Sequence, residues 1–302
     1  MKPLKILLFG KNGQVGWELQ RSLSPLGVLV ALEAKSDVLC GDLSNLEGIA
    51  QTIRAVSPDV IVNAAAYTAV DKAETEPELA HLINALAPGI MAEEAKRSGA
   101  WLIHYSTDYV FDGSGDRPWQ ETDCTSPLSI YGKTKLEGEV AIRESTCEHL
   151  IFRTSWVYAG RGGNFAKTML RLAQERDHLA VIDDQIGAPT GADLLADVTA
   201  HALIKIQQCE DLSGVYHLAA GGQTSWYDYA KFVLEFARNA NLDLKVASNA
   251  IEAIPTSAYA TTAKRPLNSR LATAKLQNTF NLHLPHWQEG VKRMLTELLE
   301  KL

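Results

Sequence analysis

Tyr131 and Lys135 are the side chains whose types and spacing most directly predict chemistry in this sequence. In a helix, residues four positions apart lie on one face, about 6 Å apart along the axis. An ammonium group beside a phenol stabilises the phenolate, which would lower the pKa of Tyr131 and let it exchange a proton with a carbonyl or hydroxyl oxygen. The same spacing also arises where a Tyr ring packs on a Lys stem at a helix surface, so the pair needs support from other motifs.

A glycine-rich segment near the start of the chain predicts a dinucleotide site. Gly10, Gly13 and Gly16 follow a short apolar run and open an amphipathic stretch. Glycine permits a sharp turn, and its missing Cβ lets a pyrophosphate approach the helix N-terminus, where free amides favour anions. The spacing is G-x-x-G-x-x-G rather than G-x-G-x-x-G, and a tight strand–helix turn without a ligand is the alternative.

Two carboxylates follow this segment at positions suited to an adenosine. Glu33 ends the second predicted strand, about 20 residues after the glycines, where a carboxylate can accept hydrogen bonds from ribose hydroxyls. This favours NADH, although Lys11 or Lys35 could accommodate the 2′-phosphate of NADPH. Asp42 is placed to meet the adenine edge or, alternatively, to cap the helix that follows.

Hydroxyl groups at the end of a later strand predict the position of a substrate. Ser106 and Thr107 follow the predicted strand 101–105 at its carboxyl end, the side on which doubly wound sheets bind ligands. Each could hydrogen-bond a substrate carbonyl and polarise it. The helix with Tyr131 and Lys135 comes next in the chain, so strand and helix should be neighbours. The ordered combination of glycine turn, Ser/Thr, Tyr and Lys favours an enzyme over simple surface packing.

The order of apolar runs and amphipathic stretches predicts an α/β fold. In the first half of the chain the predicted strands are 5–9, 28–32, 60–62, 101–105 and 149–154, and the predicted helices are 13–24, 46–56, 79–98 and 131–144. Strands separated by helices of this length form βαβ units, and hence a doubly wound, Rossmann-like parallel sheet. Later helices are predicted at 164–175, 192–207, 226–239 and 287–302, with short strands at 179–182 and 215–218.

The looser pattern after residue 156 predicts two parts. We expect a dinucleotide-binding domain over 1–156 and a smaller, interleaved C-terminal substrate-binding lobe over 157–302, with a strand near 215–221 returning to the first domain. The segments 183–190 and 258–270 are rich in Pro, Thr, Gly and Arg. They are predicted to be loops around a ligand or a lobe interface, with plain connectors as the alternative.

Composition argues against several classes of function. The 302 residues carry a net charge of −7, and the 46% hydrophobic and 22% charged content is ordinary for a soluble globular protein. An acidic chain lacks the broad basic surface that nucleic acid requires. The apolar run 6–9 is too short for a signal-peptide core or a membrane span. The four cysteines form no CxxC pair, so we expect no zinc site, no disulfide framework and a reducing cytoplasm. They are Cys40, Cys124, Cys147 and Cys209.

Several segments together resemble the dTDP-4-dehydrorhamnose reductase family of the extended short-chain dehydrogenase/reductase superfamily. They are KILLFGKNGQVG (5–16), NAAAYTAVD (63–71), STDYVF (106–111), FRTSWVY (152–158), NFAKTM (164–169) and DQIGAPT (184–190). The segment RPLNSRL (265–271) extends the resemblance nearly to the C-terminus.

The resemblance implies reduction of the C4 ketone of dTDP-4-dehydro-L-rhamnose to dTDP-L-rhamnose, the last step of a sugar-nucleotide pathway that feeds cell-envelope polysaccharides. It implies that Thr107 orients the carbonyl, that Tyr131 donates a proton, and that Lys135 holds the nicotinamide ribose and lowers the pKa of Tyr131. Asp108 and Trp156 would contact the sugar nucleotide.

NADH or NADPH is the expected cofactor. The residues predicted to contact it are Gly10, Gly13, Gln14, Val15, Gly16, Glu33, Asp42, Leu43, Ala66, Tyr67, Thr68, Tyr131 and Lys135. Asn164, Gln185 and Arg265 are candidates for selecting the dTDP base.

The resemblance also implies a metal and a partner subunit. Family members can dimerise around a magnesium ion held by three acidic side chains, and the matching positions here are Glu18, Asp193 and Glu297. A homodimer with bound Mg²⁺ is therefore expected. Asp193 departs from the Glu expected at its position, and its shorter side chain must still reach the ion. Three solvated surface carboxylates are the alternative.

Two further functions are compatible with these motifs. An epimerase or dehydratase on the same scaffold would retain NAD and return the hydride; a dehydratase needs an acidic group close to Thr107, which Asp108 could supply. A non-catalytic regulatory subunit, resembling the reductase-like β subunit of methionine adenosyltransferase, would bind a partner protein and a dinucleotide. The complete set of Thr107, Tyr131 and Lys135 favours the enzyme.

Overall fold

The computed structural model describes residues 3–209 and 211–300. Within these ranges the strands are β1 (Leu4–Phe9), β2 (Gly27–Leu32), β3 (Val60–Asn63), β4 (Trp101–Thr107), β5 (His149–Thr154), β6 (Val157–Tyr158), β7 (Leu179–Ile182), β8 (Ile186–Gly187), β9 (Thr190–Gly191), β10 (Gly214–His217), β11 (Thr224–Ser225) and β12 (Ile251–Ile254). The α-helices are α1 (Gln14–Leu23), α2 (Leu46–Val56), α3 (Val70–Ala73), α4 (Pro77–His81), α5 (Ala87–Ser98), α6 (Ile130–Glu144), α7 (Phe165–Glu175), α8 (Ala192–Ile206), α9 (Trp226–Asn239), α10 (Ala274–Phe280) and α11 (Trp287–Leu299). The last two residues of the predicted helix 287–302 lie outside the described part of the chain.

The central element is a six-stranded parallel sheet in the order β10-β5-β4-β3-β1-β2. The predicted doubly wound, Rossmann-like fold is therefore confirmed. Successive side chains of a strand point to opposite faces. Ile6 and Leu8 accordingly pack with α1 and α8, whereas Leu7 and Phe9 pack with α2 and α5. Both faces of the sheet are covered, as a parallel sheet requires.

A further apolar core lies beneath α7, α9 and α11. Its buried members include Leu170, Tyr229, Val233 and Leu295. Among the described residues the chain also forms three two-stranded pairs: β6 with β9, β7 with β12, and β8 with β11. Strands β6, β7 and β12 contribute buried side chains to this core. The division of the chain at residue 156 stays a prediction, although this core is built from residues beyond it.

The predicted helix 79–98 is interrupted. The chain forms α4, then a π-helical turn over Leu82–Leu86, then α5. Pro88, near the start of α5, has no N–H to donate to the preceding turn, and a wider turn accommodates its ring. Strand β12 and helix α10, of four and seven residues, were not predicted.

The topology brings the motifs together. The glycine segment follows β1, Asn63 ends β3 and Thr107 ends β4, and these three strands are neighbours in the sheet. Chain order reverses between β1 and β3, and such a switch point opens a crevice outside the carboxyl ends of the strands. Over the described ranges, none of the helices combines the length and apolar character needed to cross a bilayer.

Candidate active site

One cavity of about 900 Å³ lies at this crevice. The glycine segment lines one end, and the side chains after β4 and on α6 line the other. Among its lining residues are the following predicted site residues: Gly10, Gly13, Gln14, Val15, Glu33, Asp42, Leu43, Ala66, Thr68, Thr107, Asp108, Tyr131, Lys135 and Trp156. Gly16 and Tyr67 are not part of this lining.

The glycine segment forms a turn that other residues could not adopt. Gly10 has a φ of +87°, and a Cβ there would lie 2.8 Å from the Ala65 nitrogen. A Cβ on Gly16 would lie 2.0 Å from the Gly10 carbonyl oxygen, so Gly16 acts through packing and not through contact with the cavity. Helix α1 begins at Gln14 without a side-chain cap, which leaves its first amides to an anion.

The two carboxylates at this end differ in their surroundings. Glu33 accepts a hydrogen bond from the Asn12 amide and lies 3.5 Å from the Lys11 ammonium nitrogen. Asp42 accepts hydrogen bonds from the backbone nitrogen and hydroxyl of Ser44, at 2.9 and 2.8 Å. The alternative role proposed for Asp42 is wrong, because Asn45 caps α2.

Tyr67 is turned away from the cavity. Its hydroxyl donates to the Glu76 carboxylate, and its backbone nitrogen donates to Asn84 Oδ1 at 2.8 Å. Asn84 lies in the π-helical turn, so this turn holds the Tyr67 backbone in place. The structure therefore does not support the predicted cofactor contact of the Tyr67 side chain.

Two glycines let α6 approach its neighbours closely. A Cβ on Gly132 would lie 2.2 Å from the Tyr109 carbonyl oxygen, and one on Gly138 would lie 2.2 Å from that of Asn84. Ser129 caps the helix by accepting a hydrogen bond from the Gly132 nitrogen at 3.2 Å. This packing places the Tyr131 ring edge-on to Tyr109, with 5.5 Å between ring centroids.

Lys135 does not lower the pKa of Tyr131 as the spacing predicted. Burial raises the pKa of Tyr131 to about 12; interaction with the Thr107 hydroxyl opposes this rise and the charge of Asp108 adds to it. The Lys135 nitrogen instead donates to the Tyr105 carbonyl oxygen at 2.7 Å and lies 3.1 Å from His104 Nε2. Helical spacing puts the two residues on one face, but it does not decide where a long side chain points.

Asp108 offers an unpaired acceptor. Its Oδ1 accepts a hydrogen bond from Thr107 at 3.2 Å, whereas its buried Oδ2 has no partner among the described residues. Burial raises the pKa of Asp108 to about 6, although the neighbouring hydroxyls of Ser269 and Thr107 oppose the rise. A buried acceptor without a partner is costly unless a ligand satisfies it, so a substrate hydroxyl is a suitable partner.

A pair of indole rings forms another wall. Trp156 stacks on Trp226 with 3.6 Å between ring centroids and 14° between planes. Trp156 has a φ of +49°, a left-handed conformation that is uncommon for an aromatic residue. A Cβ on Gly187 would lie 2.7 Å from this indole. Trp226 was not predicted, because it begins α9, and only tertiary packing brings it to Trp156.

Ser106 lines the cavity, but its hydroxyl already has a partner. Its hydroxyl donates to the Glu139 carboxylate at 2.5 Å, which leaves Thr107 as the hydroxyl near Tyr131. Glu139 also accepts three hydrogen bonds from Arg153, two from Nε at 2.9 and 3.2 Å and one from Nη2 at 2.6 Å. Both charged side chains are buried, and the guanidinium lies over the Phe111 ring. This ion pair fixes α6 to β4 and β5 directly behind the cavity.

The candidates for base selection lie outside the cavity lining. Asn164 caps α7, and its amide donates to the Ala159 carbonyl oxygen at 2.7 Å. Gln185 Oε1 accepts a hydrogen bond from the Trp226 indole at 3.1 Å, so it supports the cavity wall from behind. Arg265 forms an ion pair with Asp71 at 2.6 Å.

The predicted metal ligands share a small pocket with two arginines. Glu18 lies 3.6 Å from Arg21, and Arg293 lies 3.5 Å from Asp193 and 3.4 Å from Glu297. Over residues 3–209 and 211–300, no three His, Cys, Asp or Glu side chains are grouped closely enough to hold a metal ion. The geometry of a single chain thus does not support the magnesium prediction, because guanidinium groups already neutralise these carboxylates.

Comparison with known proteins gives a consistent result. The family described as the RmlD substrate binding domain matches residues 4–300. A dTDP-4-dehydrorhamnose reductase of Escherichia coli K12 is 63% identical over 295 residues, which are 98% of each chain. The crystal structure of a dTDP-4-dehydrorhamnose reductase from Bacillus anthracis in complex with NADP has a TM-score of 0.87 and 34% identity, covering 97% of this chain and 99% of that one. A dTDP-glucose 4,6-dehydratase from Streptomyces venezuelae with bound NAD shares the fold alone, with a TM-score of 0.79 and 15% identity over 98% of this chain and 97% of that one.

Proposed function

The chain belongs to the RmlD substrate binding domain family and, with its relatives, to the dTDP-4-dehydrorhamnose reductases, and we propose that it reduces the C4 ketone of dTDP-4-dehydro-L-rhamnose with NADPH or NADH. The observation that carries the proposal is that Thr107, Tyr131 and Lys135 line the same cavity as the glycine segment. A hydride donor bound at the glycine segment and a ketone near Tyr131 would therefore lie in the same cavity.

In this proposal Tyr131 is the proton donor. A bound reduced nicotinamide supplies the hydride to C4, and the phenol gives its proton to the oxygen as the carbonyl becomes a hydroxyl. The raised pKa of Tyr131, about 12, keeps the phenol protonated at neutral pH, so the acid is ready when negative charge develops on the oxygen. The product is dTDP-L-rhamnose, and the phenolate must regain a proton before the next turnover.

Thr107 is the carbonyl-orienting group in this proposal. Its oxygen accepts a hydrogen bond from the Tyr109 nitrogen at 3.2 Å, which fixes the position of the hydroxyl. The hydroxyl proton now directed at Asp108 can rotate to a substrate oxygen, because a hydroxyl has one donor and two acceptor positions. Two donors, Thr107 and Tyr131, would then meet the same oxygen, as in an oxyanion hole.

Asp108 gives the reaction a pH dependence. The ionised carboxylate accepts a hydrogen bond from a sugar hydroxyl more strongly than the neutral acid does, and the pKa of about 6 means that this form is lost as the pH falls through 6. We expect KM for the sugar nucleotide to rise about tenfold for each pH unit below this value. Steady-state kinetics between about pH 5 and about pH 8 measure this rise. Asp108→Asn should make KM high and independent of pH, whereas the exposed-loop control Asp116→Asn should keep the wild-type profile; a pH-independent wild-type KM would contradict the role.

Glu33 sets the cofactor preference in this proposal. The NADP in the Bacillus anthracis relative supports NADPH, whereas the Glu33 carboxylate would repel a 2′-phosphate. Glu33→Ala removes this charge and frees Lys11, and we expect the preference for NADPH over NADH to rise about five- to tenfold, the effect of roughly 1 kcal/mol. The ratio of kcat/KM values for the two cofactors measures it. Glu47→Ala, an exposed change on α2, should leave the ratio at the wild-type value; an unchanged ratio in Glu33→Ala would refute the ribose contact.

The homodimer implied by the family is also part of this proposal. Because Arg21 and Arg293 neutralise the acidic cluster, we expect the dimer to form without a divalent cation. Sedimentation velocity before and after extensive EDTA treatment should give the same profile. If the dimer dissociated in EDTA and re-formed on addition of Mg²⁺, the result would contradict this expectation and support the magnesium site.

The reductase is favoured over the two alternative functions. An epimerase or dehydratase of this superfamily keeps its NAD, so it would release bound NAD on denaturation after purification, whereas a reductase exchanges its cofactor. A regulatory subunit would bind the dinucleotide without turnover. The direct experiment is to mix the purified protein with freshly generated dTDP-4-dehydrorhamnose and NADPH and to follow NADPH consumption; no consumption with either cofactor would overturn the proposal.

A further inference from the structure

His104 lies directly behind Lys135. It is completely buried on β4, and it pairs across the sheet with Asn63 at the end of β3. One ring nitrogen, Nε2, lies 3.1 Å from the Lys135 nitrogen, and the other, Nδ1, lies 3.1 Å from Asn63 Nδ2. Each contact joins two nitrogens, so the position of every proton in this chain of groups is constrained.

The Asn63 amide fixes the first proton. Its Oδ1 accepts a hydrogen bond from the Ala65 nitrogen at 3.1 Å. Turning the amide over would place its NH₂ against the Ala65 N–H, which leaves two donors facing each other in a buried site. The NH₂ group therefore faces His104 and donates to Nδ1, which must carry no proton.

The imidazole then fixes the second proton. A neutral imidazole carries one proton, and with Nδ1 accepting, that proton is on Nε2 and points at the Lys135 nitrogen. An ammonium group has only donors, so it would place N–H against N–H at 3.1 Å. An uncharged amine has a lone pair that can accept from Nε2 while its own N–H donates to the Tyr105 carbonyl oxygen.

We propose that His104 is a positioning residue for Lys135. The Nε2–H of His104 donates to the Lys135 nitrogen and so favours the uncharged amine. The inference rests on the proposed function only in assigning Lys135 to the nicotinamide ribose. Both forms of Lys135 can hydrogen-bond a ribose hydroxyl, but only the uncharged amine can also take up a proton.

The charges around Lys135 agree with this assignment. Glu139, one turn further along α6, raises the pKa of Lys135, but its carboxylate is occupied by Arg153 and Ser106. No carboxylate of the described residues lies within ion-pair distance of the Lys135 nitrogen. Burial is the larger effect and lowers the pKa of Lys135 to about 8. Burial, the larger cause, also lowers the pKa of His104 well below its usual value, which keeps the ring neutral.

The tautomer can be observed directly in the purified wild-type protein. Two-bond ¹⁵N–¹H correlation spectra of uniformly ¹⁵N-labelled protein distinguish the Nε2–H from the Nδ1–H form of each histidine. A pH of about 9 lies above the pKa of Lys135 and below the pKa of an ordinary lysine. At this pH we expect His104 to be the Nε2–H tautomer. The Nδ1–H tautomer would overturn the inference. The His104→Gln variant assigns the signal.

The charge state of Lys135 is the second measurement. In protein labelled with ¹³Cε-lysine, and with Lys135→Met to assign the signal, Lys135 should titrate well below the remaining lysines. His104→Met, which removes the donor, should raise its midpoint by at least about one pH unit, a tenfold change in the equilibrium constant. In His104→Gln, whose amide can still donate from the matching position, the titration midpoint of Lys135 should stay near the wild-type value. If His104 had only a structural role, the Lys135 midpoint would not differ between His104→Met and His104→Gln.

These measurements keep the two proposals separate. Neither requires turnover, so a protein inactive on dTDP-4-dehydrorhamnose would refute the proposed function and leave the His104 result intact. If His104→Met fails to fold, the wild-type tautomer and titration still decide. Titration of Lys135 together with the other lysines, or an unchanged midpoint in folded His104→Met, would overturn the role of His104.

Discussion

Tyr131→Phe should lower kcat by about 10²- to 10⁴-fold, the usual contribution of a positioned general acid. The change removes one hydroxyl and keeps the ring, so the edge-on contact with Tyr109 and the packing of α6 are preserved. We expect the Kd for NADPH, measured by fluorescence titration, to stay within about twofold of wild type, because the change removes one hydroxyl and keeps the other residues predicted to contact the cofactor.

The matched control is Tyr216→Phe. Tyr216 is also buried, and its hydroxyl donates to the Leu212 carbonyl oxygen at 2.8 Å, away from the cavity. Losing that hydrogen bond should cost about 1 kcal/mol of stability and leave kcat unchanged. Near-normal turnover in Tyr131→Phe would exclude the proton-donor role, and a parallel loss in Tyr216→Phe would indicate general disruption.

Glu139→Gln should lower the free energy of unfolding by about 3–5 kcal/mol, because it leaves the buried Arg153 guanidinium without its counter-charge. Arg153 is 3% exposed, and its Nη1 already has no hydrogen-bond partner among the described residues. A neutral amide can keep one hydrogen bond from the guanidinium but cannot balance its charge. Urea denaturation followed by circular dichroism measures the change.

The exposed pair Arg171–Glu175 on α7 supplies the control for this substitution. Arg171 Nη1 and Glu175 Oε2 lie 2.9 Å apart, a distance similar to that in the buried pair, but both side chains are more than half exposed. Glu175→Gln should therefore change stability by less than about 1 kcal/mol. An equally small effect of Glu139→Gln would mean that water reaches Arg153 and that the pair does not fix α6 behind the cavity.

The parts of the site that lie close together in the chain could be predicted from the sequence. The glycine segment belongs to one strand–turn–helix unit. Thr107 ends β4 and Tyr131 lies in α6, the next α-helix along the chain, and consecutive elements are usually adjacent in space. Their positions follow from local motifs and the order of elements, and these are also the features that carried the family resemblance.

The parts that depend on contacts between distant segments could not be predicted. Trp226 meets Trp156 only after α9 packs on the apolar core beneath α7, α9 and α11. Glu139 could have been found, since it lies two helical turns after Tyr131 on the same face, but its pairing with Ser106 depends on β4. The direction of Lys135 was missed for the same reason, because its partner His104 belongs to a strand and not to its own helix.

The most direct test of the proposed reaction follows the hydride itself. The purified protein would be incubated with NADPH deuterated at the transferred position of nicotinamide C4 and with dTDP-4-dehydrorhamnose, and the product would be analysed by mass spectrometry and NMR. We predict that each NADPH consumed yields one dTDP-L-rhamnose with its deuterium at C4 of the sugar. Unconsumed NADPH, or deuterium at any other carbon of the sugar, would contradict the account.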